Sequence, residues 1–309
     1  MTEGNTRIGS AKSPAWRVVW PAPFKLWMIL TAFFLSLAAL LGLHSVVFGI
    51  RNQDWGNLIG GAAFAVGMSM LGRVAFGLAG LSRSSVPRSV VAARSDQWGA
   101  GLLLRCRSSR YFAVPVLAFA VWAITAAVVQ FRGMSESLLP SSRDNDVGGV
   151  LVLGGAVVIL AFLVLLRFRT RTDVSLYPDG ILRQARRRRL LRSECVEEFL
   201  RWEDIDEVKV DTHDVHTAYS TVKNPIIRLV SSSLDPSRKL KRFDTEDSMA
   251  LRAYELGAEP NAIMALVLWC HENLWARERL AREDARELLH APPLRERLRL
   301  SREAVKKPQ

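Results

Sequence analysis

The chain has 309 residues, 49% of them hydrophobic, and a formal net charge of +12 at pH 7. Residues 1–168 contain 15 Lys and Arg against 6 Asp and Glu, whereas residues 169–309 contain 27 against 24. The excess positive charge therefore lies mainly among the apolar runs of the first part, which is typical of membrane topology signals. This distribution argues against nucleic acid as a partner, and we predict none. Cys106, Cys195 and Cys270 are isolated and predict reduced thiols in a cytoplasmic setting.

Four apolar runs precede the charged part of the chain, and each has roughly the 20 residues that a helix needs to cross a bilayer. They predict spans over residues 24–50, 57–81, 111–131 and 147–166, within a membrane region of residues 23–168. The basic segment 82–110 belongs in the cytoplasm and the segment 132–146 outside. We therefore predict a multi-pass protein of the plasma (inner) membrane with both termini cytoplasmic, including an N-terminal segment over residues 1–22.

Two features indicate how the first spans sit in the bilayer. Trp16, Trp20 and Trp27 bracket the first run, as amphipathic rings do at a membrane interface. In the second run a residue stripe recurs at every fourth position and predicts one helix face turned toward a neighbouring helix: Gly61, Ala65, Ser69, Arg73 and Gly77. Arg73 is then either a polar site inside the helix bundle or an arginine that snorkels to the cytoplasmic edge.

The cytoplasmic loop between the second and third spans contains a predicted β-hairpin. Two short strand-like runs, residues 89–93 and 101–105, flank the turn-forming residues 96–99. A hairpin alone is marginally stable in water, so we expect this one to pack on, or complete, the β-domain that follows the last span.

The segment after the last span predicts that small β-domain. Tyr177-Pro-Asp-Gly180 is a turn in which proline presets φ and glycine takes the left-handed position, and strands flank it. A further strand is predicted at residues 226–230. Pro260 then begins a helix with Glu259 at its cap, and an apolar stripe on this helix is the face that would close an open barrel: Ile263, Leu266, Val267, Cys270 and Leu274.

This order of features resembles the bacterial pleckstrin-homology-like domains that are attached to membrane spans. The residues that carry the resemblance are the Pro178-Asp-Gly180 turn, the Trp202-Glu-Asp-Ile205 corner and the closing helix with its His271–Leu280 ending. The resemblance covers roughly residues 172–280 and implies a barrel or sandwich whose core Trp202 and Ile205 anchor. The expected fold class is membrane α plus soluble β: four transmembrane helices, then a cytoplasmic pleckstrin-homology-like domain closed by a C-terminal helix, with a charged helical tail over residues 281–309.

Two polar clusters in this part are candidate sites. The first is a run of four consecutive arginines: Arg186, Arg187, Arg188 and Arg189. This run either contacts anionic lipid headgroups or forms the solvated tip of a hairpin. The second is Asp211–His216, whose two imidazoles and two carboxylates match no dedicated zinc spacing. We interpret this second cluster as a solvated loop, and we predict no metal and no cofactor.

No catalytic motif is recognisable in the sequence, because it contains neither a glycine-rich phosphate loop, nor a His-Glu-x-x-His helix, nor a nucleophile elbow. The first hypothesis is a non-enzymatic membrane protein that presents an interaction domain to a protein partner, to lipid headgroups or to a copy of itself. The alternative is a small-solute transporter or membrane-embedded enzyme that uses the bundle interior around Arg73 and His44. The sequence leaves the biochemical role and the oligomeric state open.

Overall fold

The computed structural model describes residues 13–21, 24–80, 86–106, 110–131, 150, 153–157, 159–161, 164, 171–188, 193–216 and 221–306. Its helices are α1 (Leu26–Asn52), α2 (Trp55–Leu78), α3 (Arg110–Phe131), α4 (Pro260–Glu272), α5 (Leu274–Arg277) and α6 (Leu294–Lys306). Its strands are β1 (Val90–Ser95), β2 (Gly99–Leu104), β3 (Arg171–Tyr177), β4 (Gly180–Arg188), β5 (Ser193–Arg201), β6 (Glu207–His216), β7 (Thr221–Val230) and β8 (Ser248–Leu251).

Two of these helices, α1 and α2, are long and apolar enough to cross a membrane. They form an antiparallel pair that packs through small residues. A Cβ on Gly42 of α1 would lie 2.9 Å from both the Ala65 nitrogen and the Gly61 oxygen of α2. At the turn between them, Asp54 caps α2 by accepting hydrogen bonds from the backbone N–H groups of Gly56 and Asn57.

The third predicted span coincides with α3, which packs on α2 through edge contacts between Phe119 and Phe64. The fourth predicted span, residues 147–166, lies partly outside the described residues. Those of its residues that are described, 150, 153–157, 159–161 and 164, are helical.

The predicted stripe on α2 follows the helix–helix contact only at its start. Gly61 and Ala65 are buried against α1, whereas Ser69, Arg73 and Gly77 are exposed, and a Cβ on Gly77 would meet nothing within 4 Å. The prediction that all five share one face is wrong because four residues advance an α-helix by about 400°, so a spacing of four drifts by about 40° at every step.

Five strands form one antiparallel sheet in the order β1-β2-β3-β4-β5. The predicted hairpin in the loop is β1 and β2, and it completes the later sheet because Leu102 and Leu104 of β2 lie opposite Leu176 and Val174 of β3. The Tyr177–Gly180 turn joins β3 to β4. Gly180 is needed there for close packing and not for a left-handed φ, since its added Cβ would lie 2.3 Å from the Leu200 oxygen.

The remaining strands form a second antiparallel sheet in the order β6-β7-β8. The Trp202–Ile205 corner leads from one sheet to the other; both of these side chains are buried, and Trp202 Nε1 donates to the Tyr177 oxygen at 2.8 Å. Among the described strands β5 and β6 belong to different sheets, so the two sheets do not join into a closed barrel there. Helix α4 contributes Ile263, Leu266 and Val267 to the shared core. We call β1–β8 with α4 the β-domain.

The segment that precedes α1 is docked on α4, and we call residues 16–20 the N-terminal strap. The Asn261 Oδ1 atom accepts hydrogen bonds from the backbone N–H groups of Val19 and Trp20, both at 2.9 Å. Trp16 Nε1 donates to Glu259 at 3.2 Å. Trp20 is buried in the core of the β-domain, so the prediction that Trp16 and Trp20 sit at the membrane interface is wrong.

Candidate functional site

Three strand ends that neighbour helices in the sequence lie at the same end of the five-stranded sheet. They are the start of β1, which follows α2, the end of β2, which precedes α3, and the start of β3, which follows the described helical residue 164. In an antiparallel meander these three positions lie side by side, together with the end of β4 and the start of β5. We call this edge the helix-linked end of the sheet.

Exposed arginines cluster at the helix-linked end. Arg88 precedes β1, Arg105 follows β2, Arg171 begins β3 and Arg186 lies near the end of β4. Arg171 and Arg186 are direct cross-strand partners. Arg187 and Arg188 continue β4 in register with Glu194 and Ser193, and Arg189 lies outside the described residues.

The fold-defining residues that the sequence singled out lie at the opposite end of the sheet. Pro178 and Gly180 form the β3–β4 turn, and Trp202 and Ile205 pack beneath it. On the outer face at this end, the rings of Trp98 and Phe199 stack with their centroids 3.5 Å apart and cover Tyr177 and Leu182. These residues are uncharged and pack against one another, so they stabilise the domain.

A buried charge network, which the sequence reasoning missed, joins the two sheets. Arg183 of β4 is 1% exposed, pairs with Glu198 and Asp244, and donates to the Ala250 oxygen of β8 at 2.9 Å. Lys241 adds a 2.7 Å contact to Glu198, and Arg238 lies 3.4 Å from Asp244. The only sequence signal was one arginine at an inward position of β4, two residues after the core residue Ile181.

The charges of this network perturb each other's protonation. Burial acts to raise the pKa of Asp244, but hydrogen bonds and the charge of Arg183 outweigh it and hold that pKa below its ordinary value. The pKa of Glu198 is also lowered: its burial is outweighed by the hydrogen bond from Lys241 and by Arg183. The pKa of Lys241 is lowered by its burial and by repulsion from Arg183. The lowered pKa values keep Asp244 and Glu198 ionised at neutral pH, and both carboxylates bind partners within the domain.

Residues Asp211–His216, expected to form a solvated loop, instead lie in β6 and pair with β7. Asp211 forms an ion pair with Arg228, and His213 lies against the ring of Phe243 with centroids 4.7 Å apart. Strand pairing with Thr221–Ile226 explains the difference, because alternate polar residues suit the exposed face of a long hairpin. Among the described residues, no cluster of three potential ligands could hold a metal ion.

The structure does not bring Arg73 and His44 together. Both are exposed, and α1 and α2 run antiparallel with Gly42 beside Gly61 and Gly72 beside Ala32. Arg73 is therefore level with the start of α1, about 18 Å along the helix axis from His44 at 1.5 Å per residue.

No protein family, curated protein or solved structure matches this chain.

Proposed function

We propose that this chain is a non-enzymatic, multi-pass protein of the inner membrane that holds a pleckstrin-homology-like interaction domain against the cytoplasmic surface of the bilayer. The observation that supports this proposal most directly is the interleaving of the β-domain with the helices. The N-terminal strap precedes α1, β1 and β2 lie between α2 and α3, and β3 follows the fourth apolar run.

Such interleaving has a mechanical consequence. A domain on a single flexible linker samples many orientations, whereas each additional short connection removes orientational freedom. Residues 79–89 and 105–109 are short connections from β1 and β2 to their helices. We therefore expect the β-domain to keep one orientation, with its helix-linked end facing the membrane. A topology of four spans with both termini in the cytoplasm is compatible with this orientation.

The alternative, a transporter or enzyme built around Arg73, receives less support. A substrate site within the bundle needs convergent polar groups. Arg73 and His44 are exposed and widely separated, and replacement of Arg73 by leucine should leave the function of the protein intact.

A natural cysteine provides a test of the proposed topology. Cys195 is exposed at the start of β5, whereas Cys270 is buried, which raises the pKa of its thiol to about 12. A membrane-impermeant maleimide should label Cys195 in inside-out vesicles and leave it unlabelled in sealed cells, with Cys195→Ser as the control. Labelling of Cys195 in intact cells would contradict the proposed topology.

The proposed role as an interaction domain needs a separate experiment. Cross-linking in membranes followed by affinity purification should recover partners from the full chain. The variant Val267→Asp, which places a charge in the β-domain core, should lose them. Ala265→Asp, on the partly exposed side of the same helix, is the matched control. Recovery of the same partners with Val267→Asp would mean that the folded β-domain is not the interaction site.

A further inference from the structure

We propose that the helix-linked end of the five-stranded sheet binds the phosphate groups of anionic phospholipids, with Arg171 and Arg186 as the central pair and Arg88 and Arg105 beside them. This inference rests on the proposed function and names the ligand of its membrane-facing surface. The other occupants of such a basic surface, an acidic protein segment or a nucleic acid, are outcomes of the test below.

The central pair is an arrangement that an isolated sheet disfavours. Arg171 and Arg186 lie directly opposite each other on adjacent antiparallel strands. Alternation from the core residues Val174 and Ile181 places both on the outer face, where opposite Cβ atoms are about 5 Å apart. Like charges at such positions destabilise a sheet, and a phosphate between two guanidinium groups converts this repulsion into charge-assisted hydrogen bonding.

Two carboxylates on the same face of the sheet as this pair have other hydrogen-bonding partners. Asp173, on the same face of β3, accepts a 2.7 Å hydrogen bond from the Cys106 backbone N–H. Glu197 of β5 accepts a 2.8 Å hydrogen bond from the Gln184 amide. Among the described residues no carboxylate forms an ion pair with Arg88, Arg105, Arg171 or Arg186.

Chain length keeps these arginines close to the bilayer. Arg171 is seven positions after the helical residue 164, so the two are at most about 25 Å apart even if the link is fully extended. Arg105 is five residues from the start of α3 and thus within about 18 Å of it. A cytoplasmic leaflet that contains anionic lipids attracts basic residues held at such short range. We therefore assign the phosphate to a lipid headgroup.

The test uses the purified full chain in detergent and counts bound lipids by native mass spectrometry, with phosphatidylglycerol and phosphatidylcholine as probes. The double variant Arg171→Gln/Arg186→Gln should bind phosphatidylglycerol at least about tenfold more weakly, with phosphatidylcholine unaffected. The matched control is Arg94→Gln/Arg201→Gln, which removes two exposed arginines from the opposite end of the sheet. This control should bind phosphatidylglycerol as the parent chain does.

Thermal unfolding without lipid provides the second measurement. Loss of a purely structural pair would lower the unfolding temperature, whereas relief of like-charge repulsion leaves it unchanged or raises it. The proposal is overturned if the two double variants bind phosphatidylglycerol equally, or if millimolar inorganic phosphate displaces the lipid. It is also overturned if the Arg171→Gln/Arg186→Gln variant binds an acidic peptide or single-stranded DNA more weakly than the parent chain does but binds phosphatidylglycerol equally well. In each case the Cys195 labelling pattern still reports independently on the proposed topology.

Discussion

The α1–α2 pair buries mainly small residues, whereas the β-domain buries mainly large ones. The helix pair buries Ala32, Ala39, Gly42 and Gly49 of α1 and exposes the large apolar side chains of the same helix. The β-domain buries its large side chains, with Trp202 1% exposed, and also encloses an arginine with two carboxylates.

Under the membrane topology proposed above, the difference follows from the solvent around each region. Lipid tails are as apolar as leucine, so helices in a bilayer gain by close backbone approach and not by removing leucine from their surroundings. In water the free energy comes from burying apolar area, at about 25 cal/mol per Å². The two regions are therefore stabilised by different kinds of contact. A substitution in the helix pair should leave the β-domain folded, and a substitution in the β-domain should leave the helix pair intact. Amide hydrogen exchange of the chain in lipid nanodiscs measures the local stability of both regions in one experiment.

The largest effect is expected from Arg183→Met. It leaves Asp244, whose side chain is 0% exposed, without its main counter-charge, and it should lower the free energy of unfolding of the β-domain by about 3–5 kcal/mol. Exchange should accelerate in β4, β5 and β8 and stay unchanged in α1 and α2. Lys209→Met, which breaks an exposed pair with Glu207, is the control and should cost less than about 1 kcal/mol. Equal effects of the two substitutions would contradict the role assigned to the buried network.

The complementary disruption is Gly42→Leu in α1. Because backbone atoms of Ala65 and Gly61 already lie at 2.9 Å from the position of an added Cβ, the helices must separate, at a cost of about 1–3 kcal/mol. Exchange should accelerate in α1 and α2 while the core strands of the β-domain stay protected. Gly77→Leu, where nothing lies within 4 Å, should leave exchange in the pair unchanged. Faster exchange in both variants would show that the contact between the helices is not specific.

A smaller effect is expected from Asn261→Leu, which removes the acceptor of the Val19 and Trp20 backbone N–H groups. Two buried or half-buried donors without a partner should weaken the strap by about 1–2 kcal/mol. Trypsin should then cleave faster at Arg17, an exposed residue within the strap. Asn273→Leu, at the other end of α4, is the control, and an equal rate of cleavage in both variants would contradict the docking of the strap.

The smallest effect is a loss of β-domain stability in acid. The pKa values of Asp244 and Glu198 are lowered in the folded state, so more protons bind to the unfolded chain. Their contribution is complete above the ordinary values of 3.8 and 4.5 and is lost as the pH falls toward the lowered folded values. The unfolding temperature should therefore drop below about pH 4.5. The variant Asp244→Asn should show a shallower drop, and parallel curves would exclude Asp244 as a contributor.

Local patterns in the sequence were sufficient to predict several helices and strands. The features that could not be predicted depend on contacts between residues far apart in the sequence. The apolar run of residues 24–50 matches α1 at Leu26–Asn52, and Pro260 begins α4 with Glu259 accepting from the Ala262 N–H at 2.7 Å, as predicted. Both signals depend on neighbours within a few residues. The arginine run was placed on a hairpin, and only the order of the strands put that hairpin at the helix-linked end.

The strap and the charge network could not be predicted in this way. A tryptophan beside an apolar run suits a membrane interface and a soluble core equally well, and Trp20 finds its partner 241 residues away. Arg183 and Asp244 are 61 residues apart, and each alone is an ordinary charged residue. Contacts of this kind depend on the fold as a whole and leave no periodic signal in the sequence.

The separation between Trp20 and Asn261 also imposes an order of events on biosynthesis. At roughly 5–20 residues per second, a ribosome needs roughly 10–50 s to advance the 241 residues from one to the other. During that interval α1 and α2 are already made, while the strap has no acceptor and the sheets lack the helix that covers their core. A chain that stops before residue 261 therefore displays apolar surface and a free N-terminal segment, which chaperones and proteases recognise. The strap can therefore dock only after residue 261 has been synthesised.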